Sequence, residues 1–381
     1  MFIAPERVSM PFMPLTVISA LLHGYIGWRL APTLGAPWSW LLVATLVLSA
    51  LLMPMGLLAR RIRNRSLSDA LTWAGLVFMG LFSSLLVLTL GRDVALLVAS
   101  LVMESTDDLV AWTAQAVPVL AGVVTLWGFV NARRRAAIVT VDVPIRGLPT
   151  ALQGFTIAQI SDIHVGPTIK GPYLQAIVDA VNGIDADMVA VTGDLVDGSV
   201  AELGTHVAPL ADLRSRHGTF FVTGNHEYYS GAHAWIRELR RLGLTVLMNE
   251  HAVLQHGAAS LVVAGVADYS AHHFDPAHRS DPQTAMAGAP AHALVRLLLA
   301  HQPRSAEAAE RAGFHLQLSG HTHGGQFFPW NLFVPLQQPF TAGLHKLKDL
   351  WVYTSRGTGY WGPPKRFGAP SEITRLRLVP A

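Results

Sequence analysis

The stretch Leu316-Gln317-Leu318-Ser319-Gly320-His321-Thr322-His323-Gly324-Gly325-Gln326 joins a short apolar run to a glycine-framed pair of histidines. An apolar run ended by glycine predicts a buried strand that gives way to a loop. Alternate side chains of an extended backbone share a face, so His321 and His323 can point into one pocket. Four clusters upstream repeat the device. Residues 155–160 lead to Ser161-Asp162-Ile163-His164, and 188–192 lead to Gly193-Asp194. Residues 220–223 lead to Gly224-Asn225-His226-Glu227, and 295–300 end at His301.

Around these clusters the spacing predicts further strands over 138–143, 261–265, 350–354 and 373–378, and helices over 171–182, 232–242 and 305–312. Residues 270–290, rich in His, Pro, Ala and Asp, read as a long loop. Strands alternating with amphipathic helices predict an α/β layer fold. The loops at the carboxyl ends of such strands gather at one rim, where open α/β sheets bind ligands.

Two Asp, one Asn and five His converge there, and the 381 residues include no cysteine. That removes disulfides, a thiolate nucleophile and any cysteine metal site. Imidazole with carboxylate and amide oxygens suits Mn, Fe or Zn. A carboxylate can bridge two cations held about 3.5–4 Å apart. Taken singly, an Asp-x-His or an Asn-His beside glycine is ordinary turn chemistry. Five such clusters in this order, each after an apolar strand, are hard to produce by accident.

The ordered set resembles the calcineurin-like metallophosphoesterase family, whose pattern is Asp-x-His, Gly-Asp, Gly-Asn-His-Asp/Glu, a separate His, and Gly-His-x-His. All five motifs are intact between Phe155 and the chain end. The sequence looks most like a membrane-attached bacterial subgroup, through Gly-His-Thr-His-Gly-Gly-Gln at 320–326 and the segments 356–359 and 362–367. One departure lies at Gly265-Val266-Ala267-Asp268, where relatives tend to show paired acids, and it bears on substrate contacts only. The resemblance implies a four-layer α/β/β/α sandwich and two divalent cations, Mn²⁺, Fe²⁺ or Zn²⁺. It implies that Asp162, His164 and His323 hold one cation, that Asn225, His301 and His321 hold the other, and that Asp194 bridges them. It implies in-line attack on phosphorus by a metal-bridging hydroxide, with His226 as general acid to the leaving oxygen or stabiliser of its charge; the plainer reading of His226 is that it orients a neighbouring ligand. Asp197 and Glu227 could orient ligand histidines; Gln326 is a turn residue or a substrate contact. The remaining histidines, among them His217, His233, His256, His272, His273 and His278, read as surface or packing residues.

Composition sets the other half apart. Apolar residues make up 51% of the chain and charged residues 14%, against about 25% charged in a soluble domain. The excess lies at the amino end, where a membrane region over 1–135 is expected ahead of a phosphoesterase domain over 136–381. Spans of about 20 apolar residues are predicted over 8–28, 38–59, 70–91 and 109–131, interrupted by Pro14, Pro54 and Pro118. The run 94–103 is too short for a span and reads as a re-entrant segment or an extension of the third helix. Residues 8–28 lack the charged start and cleavage site of a signal peptide and read as a helix. Trp28, Trp38, Trp40 and Trp127 fall near span ends, where indoles favour the headgroup zone.

Basic loops at Arg60, Arg61, Arg63, Arg65 and at Arg133, Arg134, Arg135 face one side, against Arg29 and an Arg92, Asp93, Glu104, Asp107, Asp108 loop elsewhere. Positive charge marks the cytoplasmic side, so a multi-pass protein of a bacterial inner membrane is expected, with the catalytic domain on that side. The expected partners are the bilayer and a phosphoester, lipid-linked as in UDP-2,3-diacylglucosamine of lipid A synthesis, and no nucleic acid. The run Phe327-Phe328-Pro329-Trp330-Asn331-Leu332-Phe333 could form an apolar lip, flanked by His345, Lys346, Lys348, Lys365 and Arg366, or could complete the core. The other class of reading is a sensor or transporter regulated by its phosphoesterase domain. His23 is the single Asp, Glu, Lys, Arg or His within a predicted span, and it reads as packed.

Overall fold

Leucine, valine and alanine runs without charge make the amino-terminal part helical. In a computed structural model, which describes residues 12–381, α1 spans Phe12–Leu30, α2 Trp38–Leu58, α3 Arg65–Ser100 and α4 Asp107–Arg133. The chain divides into two units, one ending at Trp127 and one beginning at Gly128. Among the described residues α2, α3 and α4 are long and apolar enough to cross a membrane by length and composition. The span expected from residue 8 starts outside the described residues, and its described part lies in α1. Pro54 and Pro118 lie inside α2 and α4.

The third span is longer than expected, because α3 continues unbroken through residues 94–100. Arg92 and Asp93 are therefore helical rather than part of a loop. Their charges are satisfied by neighbours: Arg29 donates to Asp93 at 2.8 and 2.9 Å, Tyr25 donates to it at 2.6 Å, and Arg92 donates to Thr113 at 2.9 Å. His23 is packed, stacked on Phe82 and within 2.9 Å of Ser49 Oγ. Helices α2 and α3 meet at Gly56 and Gly75, where a Cβ on Gly75 would stand 2.6 Å from Leu52 O and 2.8 Å from Gly56 Cα. Small residues permit that approach. Overpacking costs about 1–3 kcal/mol, so Gly75→Leu is expected to lower the melting temperature of the detergent-solubilised chain, read by circular dichroism; an unchanged melt contradicts this packing.

In the second unit the elements run β1 Ala137–Ile145, β2 Thr156–Ile160, α5 Gly171–Asn182, β3 Met188–Val191, α6 Val200–Val207, β4 Thr219–Phe221, α7 Asn225–Ser230, α8 Ala232–Arg241 and β5 Thr245–Val246. They continue as β6 Glu250–His256, β7 Ala259–Gly265, α9 Pro282–Ala285, β8 Val295–Leu299, α10 Ala306–Arg311, β9 Leu316–Ser319, β10 Gly343–Leu347, β11 Leu350–Thr354 and β12 Glu372–Pro380. Two six-stranded sheets form, ordered β1-β12-β2-β3-β4-β5 and β10-β11-β9-β8-β7-β6. In the first, β2 to β5 are parallel, while β12 is antiparallel to β2. In the second, β7, β8, β9 and β11 are parallel.

Strand alternation sorts the side chains into layers. Ile157, Met188, Ala190 and Phe220 pack against Leu261, Val263, Leu297 and Leu318 of the facing sheet. On the outer face, Ile160, Val189 and Val191 lie under Ile177, Trp235 and Leu239 of α5 and α8. On the far face, Val262, Ala264 and Leu298 lie under Ala285, Ala306 and Ala309. The order of layers is α/β/β/α. The parallel registers of β2, β3, β4, β8 and β9 bring the five motif-bearing loops to the carboxyl ends of adjacent strands.

Candidate metal centre

The five loops deliver the predicted residues to one buried cluster. Asp162, His164 and His323 present ligand atoms within 4.8 Å of one another, as do Asp194, His301 and His321. His164 Nε2 is 3.0 Å from His323 Nε2, and His301 Nε2 is 3.2 Å from His321 Nδ1. Asp194 Oδ2 stands 3.1 Å from His301 Nε2 and 4.0 Å from His164 Nε2, so one carboxylate reaches both groups. Asn225, first residue of α7, joins through the backbone: the next amide, of His226, donates to Asp194 Oδ1 at 2.9 Å.

The backbone is bent to make this possible. Asp162, His164, Asp194, His321 and His323 all have φ between 51° and 72°, a left-handed region that costs non-glycine residues strain and marks functional sites. Gly320 permits the close crossing of two loops, since a Cβ there would run into Ser161 Oγ and Asp162 Oδ2.

Two buried oxygens, Asp162 Oδ2 and Asn225 Oδ1, have no hydrogen-bond partner. Orphaned buried oxygens are costly, and both belong to predicted ligands. Electrostatics point the same way. Burial and the nearby Asp194 raise the Asp162 carboxyl, while His301 and His226 hold Asp194 well below the usual carboxylate range against its burial. The raised Asp162 carboxyl lacks countercharge of its own, and a divalent cation would supply it. Burial, helped by the charge of His301, lowers His321 to about 3, and burial with Arg366 pushes His323 well down. Neutral imidazole is the ligand form, which His321 and His323 favour. His301, also a predicted ligand, is instead raised, against its own burial, well above its usual range by Asp194, and a bound cation would displace that proton. The donor set therefore fits two hard-to-borderline divalent cations.

Outer contacts orient the predicted ligands. His301 Nδ1 lies 2.7 Å from Thr192 O, which leaves Nε2 for a cation. Asp197 Oδ1 is shared by His164 Nδ1 at 3.1 Å and His226 Nδ1 at 2.6 Å. Burial disfavours a charged His226, but Asp194 and Asp197 raise it to about 9. Glu227 does not touch a histidine. Its buried carboxylate accepts from the amides of Asp194, Leu195, Val196 and Gly224 at 2.6–3.3 Å, tying two motif turns together. Gln326 is a clasp, bonded to Trp361 and Pro363 backbone at 2.8–3.1 Å. Asp268 is fully buried and accepts from Gln302 and Ser270, so it braces its loop.

The sequence reading placed Lys365 and Arg366 among flanking basic residues, yet both are buried, at 2% and 1% exposure. Arg366 Nη1 donates to the carbonyls of His323 and Arg356, and Nη2 lies 3.0 Å from His323 Nδ1. A lone basic pair after prolines carries no local sign of this; only the fold reveals it. Phe327 is also buried, but Phe328, Trp330, Leu332, Phe333 and Leu336 are each at least half exposed. The reading that these aromatics complete the core holds for Phe327 alone. Exposed Tyr229 and Trp361 pack on His226 with ring centroids at 5.1 and 5.7 Å, and exposed Phe274 packs on Tyr229 at 5.6 Å.

A family model described as calcineurin-like phosphoesterase matches residues 155–325. The chain is 40% identical over 309 residues to a Bos taurus protein named transmembrane protein with metallophosphoesterase domain, covering 73% of this chain and 69% of that one. The Danio rerio protein of the same name is 37% identical over 271 residues, covering 69% and 62%. An uncharacterized metallophosphoesterase of Helicobacter pylori (strain ATCC 700392 / 26695) is 41% identical over 229 residues, covering 59% and 60%. The chain thus spans between 60% and 69% of the length of these relatives.

Proposed function

Since the chain belongs to the calcineurin-like phosphoesterase family, we propose that it is a membrane-held hydrolase of phosphodiester or pyrophosphate bonds, acting on lipid-linked substrates. The observation that carries the reading is the convergence of Asp162, His164, Asp194, Asn225, His301, His321 and His323 around two partnerless buried oxygens. In this reading Asp162, His164 and His323 hold one cation, Asn225, His301 and His321 the other, and Asp194 both. Mn²⁺, Fe²⁺ and Zn²⁺ all suit the donor set. Such a pair, when bound, activates water near neutral pH and neutralises charge on the phosphoryl oxygens.

The chain's own residues do the rest. Asp197 fixes the ring of His226 through Nδ1, leaving Nε2 to hydrogen-bond the leaving oxygen and give it a proton. His226 is flanked by Tyr229 and Trp361, and Phe274 packs on Tyr229, so the leaving group meets an aromatic wall on that side. Gln326 ties the Trp361 loop to the last metal motif, beside the exposed side chains of Phe328, Trp330 and Leu332. An acyl-bearing leaving group fits this lip, and UDP-2,3-diacylglucosamine is one molecule of that chemistry. In the same reading residues 1–135 anchor the enzyme, and residues 136–381 work on the cytoplasmic face.

Burying one large apolar side chain contributes about 1.5–3 kcal/mol. The triple variant Phe328→Ser, Trp330→Ser, Leu332→Ser is therefore expected to lower the ratio of kcat/KM on UDP-2,3-diacylglucosamine to kcat/KM on bis-p-nitrophenyl phosphate by about 10–100-fold. Turnover of both substrates should vanish with chelator and return with Mn²⁺. An unchanged ratio removes the lipid-linked substrate and leaves a general diesterase; no metal-dependent turnover of either removes the hydrolase.

A further inference from the structure

A third group of metal-ligating side chains lies outside the centre described above. His233, on the first turn of α8, meets Asp275 and His278, which lie in the connection between β7 and β8. Their ligand atoms all fall within 4.8 Å of one another: Asp275 Oδ2 is 3.0 Å from His233 Nε2 and 3.8 Å from His278 Nε2. The separation of His233 from Asp275 in the sequence makes this a tertiary convergence rather than a local turn.

Each ligand is prepared by a neighbour. Asp275 caps its own short turn with Oδ1, which accepts from Ala277 N at 2.9 Å, and so leaves Oδ2 for the histidines. His278 Nδ1 is 2.9 Å from the Tyr228 hydroxyl, which fixes the ring and leaves Nε2 free. Outer-shell partners of this kind orient histidine ligands in metal sites. Burial lowers the proton affinity of His278, favouring the neutral ligand form. Zn²⁺ bonds to nitrogen and carboxylate oxygen are about 2.0–2.2 Å long. Tetrahedral coordination then needs ligand atoms a little over 3 Å apart, within the observed range. The side chain of His233 is 65% exposed, so the fourth position is open to water.

We propose that His233, Asp275 and His278 form a mononuclear Zn²⁺ site, separate from the dinuclear centre. The ion fastens the β7–β8 connection to α8 and, through Tyr228, to α7. Phe274, adjacent to the ligand Asp275, packs on Tyr228 and Tyr229 with ring centroids at 5.7 and 5.6 Å. The site therefore holds the apolar wall beside His226 in place. Its existence does not depend on the reaction assigned above, because its ligands are distinct.

The test counts metal. The full chain in detergent, stripped with chelator and equilibrated with Zn²⁺, is expected to carry three ions by mass spectrometry, and the His233→Ala and Asp275→Asn variants two. Co²⁺ substitution supplies a second readout, since the absorption of a tetrahedral His₂Asp site should be lost in both variants. His233 is an exposed surface residue, and Asp275→Asn keeps size and cap, so both changes leave the fold intact. A count of ions that is the same in wild type and variants, whatever its value, overturns the site.

Discussion

Asp194→Asn is expected to lower kcat/KM on bis-p-nitrophenyl phosphate by about 10³-fold or more with saturating Mn²⁺, because two cations contribute several kcal/mol of charge stabilisation and each 1.4 kcal/mol is about tenfold. The carboxylate reaches His301 Nε2 at 3.1 Å and His164 Nε2 at 4.0 Å, so it serves both halves of the centre. An amide has the same size, and its oxygen still accepts from His226 N, the bond Asp194 Oδ1 makes at 2.9 Å. What changes is the charge. Without it, Asp162 is the one remaining carboxylate among the seven predicted ligands to balance two dications. The variant should therefore bind fewer Mn²⁺ ions per chain while keeping its far-ultraviolet circular dichroism spectrum. Activity within tenfold of wild type, with metal content unchanged, would remove Asp194 from the bridging position.

The layered fold and the rim of motifs were legible because they obey local rules. Each motif strand is a short apolar run stopped by glycine or a polar turn, and β9, β11 and α5 begin and end where the spacing predicts. The strands that escaped notice lie at or near sheet edges. β6, Glu250–His256, is mostly polar or half exposed, and β5 has two residues, so neither shows an apolar run. α7 gave no helical signal, since Asn225 and His226 read as turn residues while also opening a helix capped by Glu227. Arg92 and Asp93 broke an apolar pattern and looked like a loop, but partners on neighbouring helices let α3 continue through them.

The same distinction separates legible site residues from illegible ones. Residues in the Asp-x-His or Gly-His-x-His patterns announce themselves by spacing. Glu227 and Arg366 lie in segments the sequence singles out, but what they touch is set by contacts with distant parts of the chain, and nothing in the spacing brings His233 to Asp275 and His278. Asp197 is intermediate. It follows the Gly-Asp motif closely enough to be noticed, yet only its position between two imidazoles shows what it does.

That position makes Asp197→Ala the more informative of the large-effect variants. One oxygen serves His164, a predicted ligand, at 3.1 Å, and His226, the predicted acid, at 2.6 Å. Losing an outer-shell partner typically costs 10–100-fold in metal affinity or activity, and losing a general acid costs about 10²–10⁴-fold. Asp197→Ala is expected to lower kcat on an alkyl phosphodiester by about 10²–10³-fold and to raise the Mn²⁺ concentration needed for half-maximal rate. Saturating Mn²⁺ should repair the part that acts through His164 and leave the part that acts through His226. At that concentration the double variant with His226→Ala should be no slower than His226→Ala alone, because residues acting as a unit are not additive. Leaving-group chemistry gives an independent check. p-Nitrophenolate departs without a proton, so the Asp197→Ala defect should shrink on bis-p-nitrophenyl phosphate relative to the alkyl ester. Equal defects on the two substrates, or full additivity in the double variant, would mean that Asp197 works through His164 alone and that the leaving oxygen takes its proton from elsewhere.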